Sequence, residues 1–173
     1  MKPAGAVRLK SRIIGVGEAA RQCGQHHRHL PRIAGGLVGI EVVRLDTSWP
    51  CAWGIVGRPS SRHLQADGWV ELTRGIVPDE APPSCASCVL GAAAKWARGN
   101  GSPIVTYTLG TEPGTSLVAA GWLRAGLTAP ARSWASKGRP RADRTGALAA
   151  GKQRWVSRWS VDAAAVRGWV ATD

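Results

Sequence analysis

Hydrophobic positions change their spacing several times along the chain, and each change predicts an element. Residues 36–45, GLVGIEVVRL, and 51–58, CAWGIVGR, are rich in strand-forming residues, and the DTSWP between them carries the turn formers of a hairpin. Residues 68–77, GWVELTRGIV, alternate, with Trp69 and Glu71 on one face and Val70 and Leu72 on the other. Three successive antiparallel strands follow from these runs, with a polar loop before the third. Ahead of them, AVRLK reads as a short strand. GVGEAARQCGQ reads as a helix, because Val16, Ala19, Ala20 and Cys23 recur at helical spacing. A histidine-rich loop closed by Pro31 comes next.

Beyond residue 83 the period lengthens. SCASCVLGAAAKWARGNG predicts a helix whose Cys85, Val89, Ala92 and Trp96 share a face and which stops at Gly99–Gly101. PIVTYTL predicts a short buried strand and GTSLVAAGW a short helix running into Trp122. LRAGLT with RSWASK predicts a terminal hairpin, residues 137–152 a basic loop, and QRWVSRWSVDAAAVRGWV a strand and short helix packing Trp155, Trp159 and Trp169. Strand, helix, strand in succession implies parallel pairing across a crossover. No internal repeat is present. The pattern predicts a mixed α/β (α+β) domain, with a mostly antiparallel twisted sheet flanked by helices. Residues 1–136 form the domain, and 137–173 a basic loop and C-terminal extension packed on it.

Composition refines this picture. With 173 residues, 44% of them apolar, the chain can bury one core and is not a disordered polymer. Phe is absent while Trp occurs nine times, so the tryptophans serve as the large aromatics of the core. The net charge of +12 is uneven: residues 1–32 carry seven Lys/Arg against one acid, 33–123 six against seven, and 124–173 ten against three. A neutral middle with basic ends suits a phosphate-rich partner such as DNA, since cations near phosphates release counterions; the competing reading is a solubilising surface. No apolar run reaches the length of a membrane span, and Arg8, Lys10 and Arg12 interrupt any leader-like segment, which places the protein in the cytoplasm with Cys23, Cys51, Cys85 and Cys88 as thiols.

Candidate chemistry gathers in a few places. His26, His27 and His29 offer imidazoles that can take a proton near neutral pH. They can also ligate a metal, either with a carboxylate such as Glu71 or, through pairs three residues apart, with Cys85 and Cys88. The first use is preferred, and no metal site is assigned. Arg58 and Arg74 close adjacent strands and suit a phosphate or carboxylate. Glu71 and Glu112 are their internal alternatives. Tryptophans beside cations, Trp134 with Arg132 and Lys137 or Trp155 with Arg154 and Arg158, could stack on a base, although core packing explains them equally.

The order of elements resembles the GNAT fold of N-acetyltransferases. More specifically, HHRHLP (26–31), GIVGRPSSRHL (54–64), VELTRGIV (70–77), SCASCVLGAAAKWA (84–97), TYTLGTEPGTSLVAAGW (106–122) and RSWASKGRPRADR (132–144) resemble GNAT-like proteins of phages and prophages related to Mom-type DNA-modification proteins. The resemblance implies a transferase that modifies the exocyclic amine of adenine in DNA, with DNA as partner. It also supports His27, Ser87 and Tyr107 as catalytic residues, and His26, His29, Glu71, Arg58, Arg74, Glu112 and Ser116 are assigned to hold substrate. Ser87 would bind or briefly carry the acyl group and Tyr107 would protonate the leaving group. Glu112 and Ser116 also read as a helix cap and a first-turn dipole partner.

One loop departs from the fold's usual pattern. Acetyl-CoA-dependent relatives hold pyrophosphate on a Gly-rich turn opening the long helix, whereas PDEAPPS here has three prolines without N–H groups, no glycine and two acids. Acetyl-CoA is therefore disfavoured and the acyl donor is unassigned, with a histidine-bound metal as a further cofactor option. The rival readings are a conventional acetyl-CoA-dependent N-acyltransferase for a small amine or protein, and a non-catalytic nucleic-acid-binding protein.

Overall fold

In the computed structural model, which describes residues 7–26, 35–128 and 151–165, the strand-forming runs become one seven-stranded sheet. The elements are β1 (Leu9–Ile14), α1 (Val16–His26), β2 (Val38–Arg44), β3 (Pro50–Gly57), α2 (Arg62–Ala66), β4 (Val70–Ile76), α3 (Cys85–Gly99), β5 (Ile104–Leu109), α4 (Thr115–Ala119), β6 (Trp122–Leu127), β7 (Lys152–Ser157) and α5 (Arg158–Ala165). The sheet order is β1-β2-β3-β4-β5-β7-β6. Every pairing is antiparallel except β4 with β5, which α3 joins in parallel.

The hairpin, the third strand and the parallel crossover stand where the pattern places them. Four details differ. The first strand overlaps AVRLK only at Leu9 and Lys10 and runs on to Ile14; it is an edge strand with no fully buried side chain, so burial leaves little hydrophobic alternation to read. The loop between β3 and β4 contains α2, whose N-cap Ser61 accepts the Leu64 N–H at 3.4 Å and whose buried Leu64 supplies its single apolar anchor. In α3 the buried stripe is Cys85, Val89, Ala93 and Ala97, and Trp96 sits at its margin. Small residues let the helix approach the sheet closely: a Cβ at Gly54 would lie 2.7 Å from Cγ1 of Val89. Finally, the described partner of β6 is β7, which inserts between β5 and β6. RSWASK lies outside the described residues, as does the basic run 137–150.

The core lies on both faces of the sheet. On the α3 side Val38, Ile40, Val56, Val70, Leu72, Ile104, Trp122 and Trp155 pack together. On the other side Ala19 and Cys23 of α1 meet Trp53, Ile55 and Ile76, while Leu64, Trp69, Val105 and Val156 form a second cluster. Trp53, Trp69, Trp122 and Trp155 are buried, as the aromatic-poor composition requires. Trp155 is 0% exposed, so the suggestion that it stacks on a base is corrected: the ring has no face open to a ligand. Trp134 and Trp169 lie outside the described residues. No described helix is long and apolar enough to cross a membrane.

Candidate active site

A one-residue insertion in β4 shapes the middle of the sheet. Ile55 faces Arg74 and Val56 faces Leu72, which leaves Thr73 as the extra residue, its hydroxyl donating to the Ile55 carbonyl at 3.1 Å. Because cross-strand partners share a face, the insertion turns Arg74 toward the α1 side, the side that Glu71 already occupies opposite Gly57. On the opposite edge, β4 pairs with β5 only at Val70 with Ile104 and Glu71 with Val105. One further tie, from the Thr106 hydroxyl to the Leu72 carbonyl at 2.9 Å, ends the contact. Beyond it the two strands have no ladder between them, and the sheet opens toward the start of α3.

Glu71 and Tyr107 flank the start of this opening. Ser60 holds Glu71, its N–H and hydroxyl both donating to Oε2 at 2.9 and 3.3 Å. Burial nevertheless dominates and raises the Glu71 carboxyl above the usual range; the two Ser60 bonds and the charges of Lys152 and Arg74 oppose it. Tyr107 is half-buried against the Val105, Val156 and Trp69 cluster. Its phenol is also raised, first by burial and then by the charge of Glu71, with Arg154 opposing. Arg154 stands directly across from Tyr107 on β7, and its Nε donates to the Ala125 carbonyl at 2.8 Å; Lys152 stands across from Leu109. One face of the opening thus carries a carboxylate, a protonated phenol and three cations.

The sign of the Glu71 shift gives a test. Its folded pKa exceeds its unfolded value, so this group favours folding at low pH, and that contribution falls as pH rises through the folded value. A base that must be ionised gains activity over the same interval. The rising limb of kcat/KM against pH should therefore lie above the ordinary Glu range. Ser60→Ala, which removes a bond that favours the charged form, should move the limb upward, and Glu71→Gln should remove it. An unmoved limb in Ser60→Ala would show that Glu71 is not the titrating base.

The other candidate residues are dispersed. The Ser87 hydroxyl donates to the Ser84 carbonyl at 3.0 Å, the bond of a helix-start serine, and its neighbours Cys85 and Cys88 in the first turn of α3 pack on Val42, Cys51 and Ala52 of β2 and β3. Glu112 accepts the Leu109 N–H at 2.9 Å and closes the turn after β5. Neither Glu112 nor Ser116 caps α4; Gly114 does, with φ of 68°, and Ser116 is exposed. Arg58 and Arg74 do not reach one mouth of the sheet. β3 and β4 are antiparallel, so Arg58 follows Gly57 beside the first residues of β4, while Arg74 lies near its far end. The exposed His26 imidazole stacks on Trp53, ring centres 5.6 Å apart. His27 and His29 lie outside the described residues.

Among the described residues no group of three or more His, Cys, Asp or Glu could hold a metal. All four cysteines are free, and the sulfurs of Cys51 and Cys85 are 3.2 Å apart. Burial and the Cys51 contact push the Cys85 thiol up to about 12, which removes it as a nucleophile. Ser60 and Lys152 are site residues that sequence reasoning did not place, and Arg154, read there only as a cation beside Trp155, stands opposite Tyr107. GRPSS reads as a turn and KQRWVS as a strand, but their proximity to Glu71 and Tyr107 depends on strand register. The only local signal was the alternation that sets Lys152 and Arg154 on one face of β7.

The loop from β4 to α3 does not fit a pyrophosphate cradle. Pro78, Pro82 and Pro83 have no N–H to offer. The Cys85 N–H is directed to the Pro82 carbonyl at 3.4 Å, and the Cys88 N–H to the Ser84 carbonyl at 2.9 Å. Asp79 and Glu80 are exposed on the same loop and would repel phosphate.

No protein-family model matches the sequence, and no curated protein matches it significantly. Solved structures do share the fold. Ribosomal-protein-S5-alanine acetyltransferase from Vibrio fischeri matches 86% of this chain and 91% of its own, with 8% identity and a TM-score of 0.54. Nourseothricin acetyltransferase matches 86% and 97%, with 10% identity and a TM-score of 0.56. A spermidine N-acetyltransferase chimera from Vibrio cholerae matches 86% and 94%, with 11% identity and a TM-score of 0.56. At these identities the likeness is one of architecture: the chain has the GNAT fold.

Proposed function

We propose that the chain is a transferase that moves an acyl group onto an amine at the opening between β4 and β5. The observation that carries this reading is the loss of pairing after Glu71 and Val105, with a half-buried carboxylate and phenol on one face beside it. The amine nitrogen forms a bond to the acyl carbon, and the bond from that carbon to the donor's leaving group breaks. Glu71, directly or through water, takes the proton released by the amine, while the Tyr107 hydroxyl protonates the departing group. Arg154, across from Tyr107, stabilises negative charge that develops there. The donor is not coenzyme A bound in the usual cradle, because the β4–α3 loop does not fit its pyrophosphate.

The acceptor in this reading is the exocyclic amine of adenine in DNA. The resemblance of the motif segments to phage and prophage Mom-type proteins supports it, and so does the charge distribution. Residues 129–150 carry five Lys/Arg against one acid, and the ladder holds both ends of that segment: Thr128 N–H donates to Lys152 O at 2.8 Å, and Lys152 N–H donates to the Thr128 hydroxyl at 3.0 Å. Lys152 in turn pairs with Leu109, the last residue of β5, so the described residues on either side of that polybasic run stand at the open end of the sheet.

Mass spectrometry of nucleosides from bacterial DNA, with and without expression of the chain, tests the reading. A new adenine adduct is expected in cells expressing it. Unmodified nucleosides would remove DNA as the acceptor and leave transfer to another amine.

A further inference from the structure

Arg74 is a partly buried cation whose guanidinium is incompletely satisfied. Its Nη1 donates to the Thr73 carbonyl at 2.6 Å, inside the inserted turn of β4, so the backbone fixes the guanidinium from one side. Its Nε is buried and has no hydrogen-bond partner among the described residues. Leaving such a donor unpaired carries the desolvation penalty of the group with no bond to offset it. No described carboxylate forms an ion pair with it: Glu71 feels its charge but bonds to Ser60 instead. The Cys23 thiol, from α1, also contacts Arg74, and this thiol is itself raised by burial against the opposing influence of Arg74. The guanidinium thus keeps one buried donor, Nε, without an acceptor among the described residues, on the strand segment that has lost its β5 partner.

We propose that Arg74 is the binding site for an oxyanion carried by the amine-bearing substrate, a phosphate or carboxylate that enters the opening and supplies the missing acceptor. A planar guanidinium can grip such a group through two donors. Lys152 and Arg154 stand on the same side of the opening and reinforce the attraction. Arg74 then sets which amines are presented to Glu71: those with an acidic group at a fixed reach from the nitrogen. This inference rests on the transferase reading for the identity of the ligand, but its test needs no turnover.

Calorimetry on the full chain with deoxyadenosine 5′-monophosphate, with uncharged deoxyadenosine and with 6-aminohexanoate measures the effect directly. The monophosphate should bind more tightly than the nucleoside, and Arg74→Met should remove roughly 10- to 100-fold of that affinity. Arg98→Met, an exposed cation at the far end of α3, should leave it unchanged. Arg74→Lys, which keeps the charge and loses the fork, should fall between. A gain confined to 6-aminohexanoate and lost in Arg74→Met would assign the site to carboxylates. Equal affinity of the wild-type chain for charged and uncharged probes, no binding of any probe, or an equal loss in Arg98→Met overturns the proposal. The wild-type comparison stands even if a variant fails to fold, and nucleoside analysis reports on transfer separately.

Discussion

Tyr107→Phe is expected to lower transfer by roughly 10²- to 10⁴-fold, the usual worth of a positioned proton donor. The phenol suits that task because burial and the charge of Glu71 both favour its protonated form, so it holds its proton through neutral pH. Activity that needs this proton should fall only as pH rises through a value above the ordinary tyrosine range. The substitution removes one half-buried oxygen and leaves the ring against Val105, Val156 and Trp69, so the thermal midpoint should change little. The adduct yield measured beside the melting curve separates the two effects. A variant that transfers at the wild-type rate would place proton donation elsewhere.

The largest effect on stability is expected at Trp155. Its ring is fully buried in an interior strand, its Nε1 donates to the Thr108 hydroxyl at 3.0 Å, and the Arg124 guanidinium sits 5.2 Å from the ring centre. The turn before α4 is shaped around it: a Cβ at Gly114 would lie 2.2 Å from the ring, at a φ of +68° that already favours glycine. Trp155→Ala should cost about 3–5 kcal/mol. For a chain of this size that is a fall of roughly 10 °C in Tm. Trp49→Ala, at a side chain 70% exposed, should stay within about 0.5 kcal/mol of wild type. Urea unfolding of both variants checks the contrast. A small loss at Trp155 would mean that its neighbours collapse into the space.

How far the chain could be read follows from which forces act locally. The alternation in GWVELTRGIV already placed Glu71 with Trp69, and the structure keeps them on one face, because that pattern is a property of adjacent residues. The stripe of α3 was read one position off in its second half: Trp96 looks more hydrophobic than Ala97 and drew Ala92 into the face, but close approach to the sheet favours the smaller side chain and sets Ala93 and Ala97 inward. Arg58 and Arg74 were expected together because both follow apolar runs; antiparallel direction and the extra residue at Thr73 send them apart. The partnership of Tyr107 with Arg154 joins residues 47 positions apart through β5 and β7, and no local period encodes it. Ser60 shows the same limit, since its role depends on where a turn folds back. The prolines of the β4–α3 loop, by contrast, were fully legible, because a missing N–H is a covalent fact.

The position of β7 bears on how the molecule can be made. β1 to β4 form a continuous meander of neighbours in both sequence and space, which can pair as the chain leaves the ribosome. β5 and β6 cannot complete the sheet then, because the strand that separates them is synthesised last. Until residues 152–157 emerge, β5 presents a bare edge of backbone donors and acceptors, with Tyr107 on it and no Arg154 opposite. A nascent chain halted before that point would carry Glu71 and Tyr107 without Lys152 and Arg154 across from β5, so the charged wall of the opening is completed only by the last strand to be inserted.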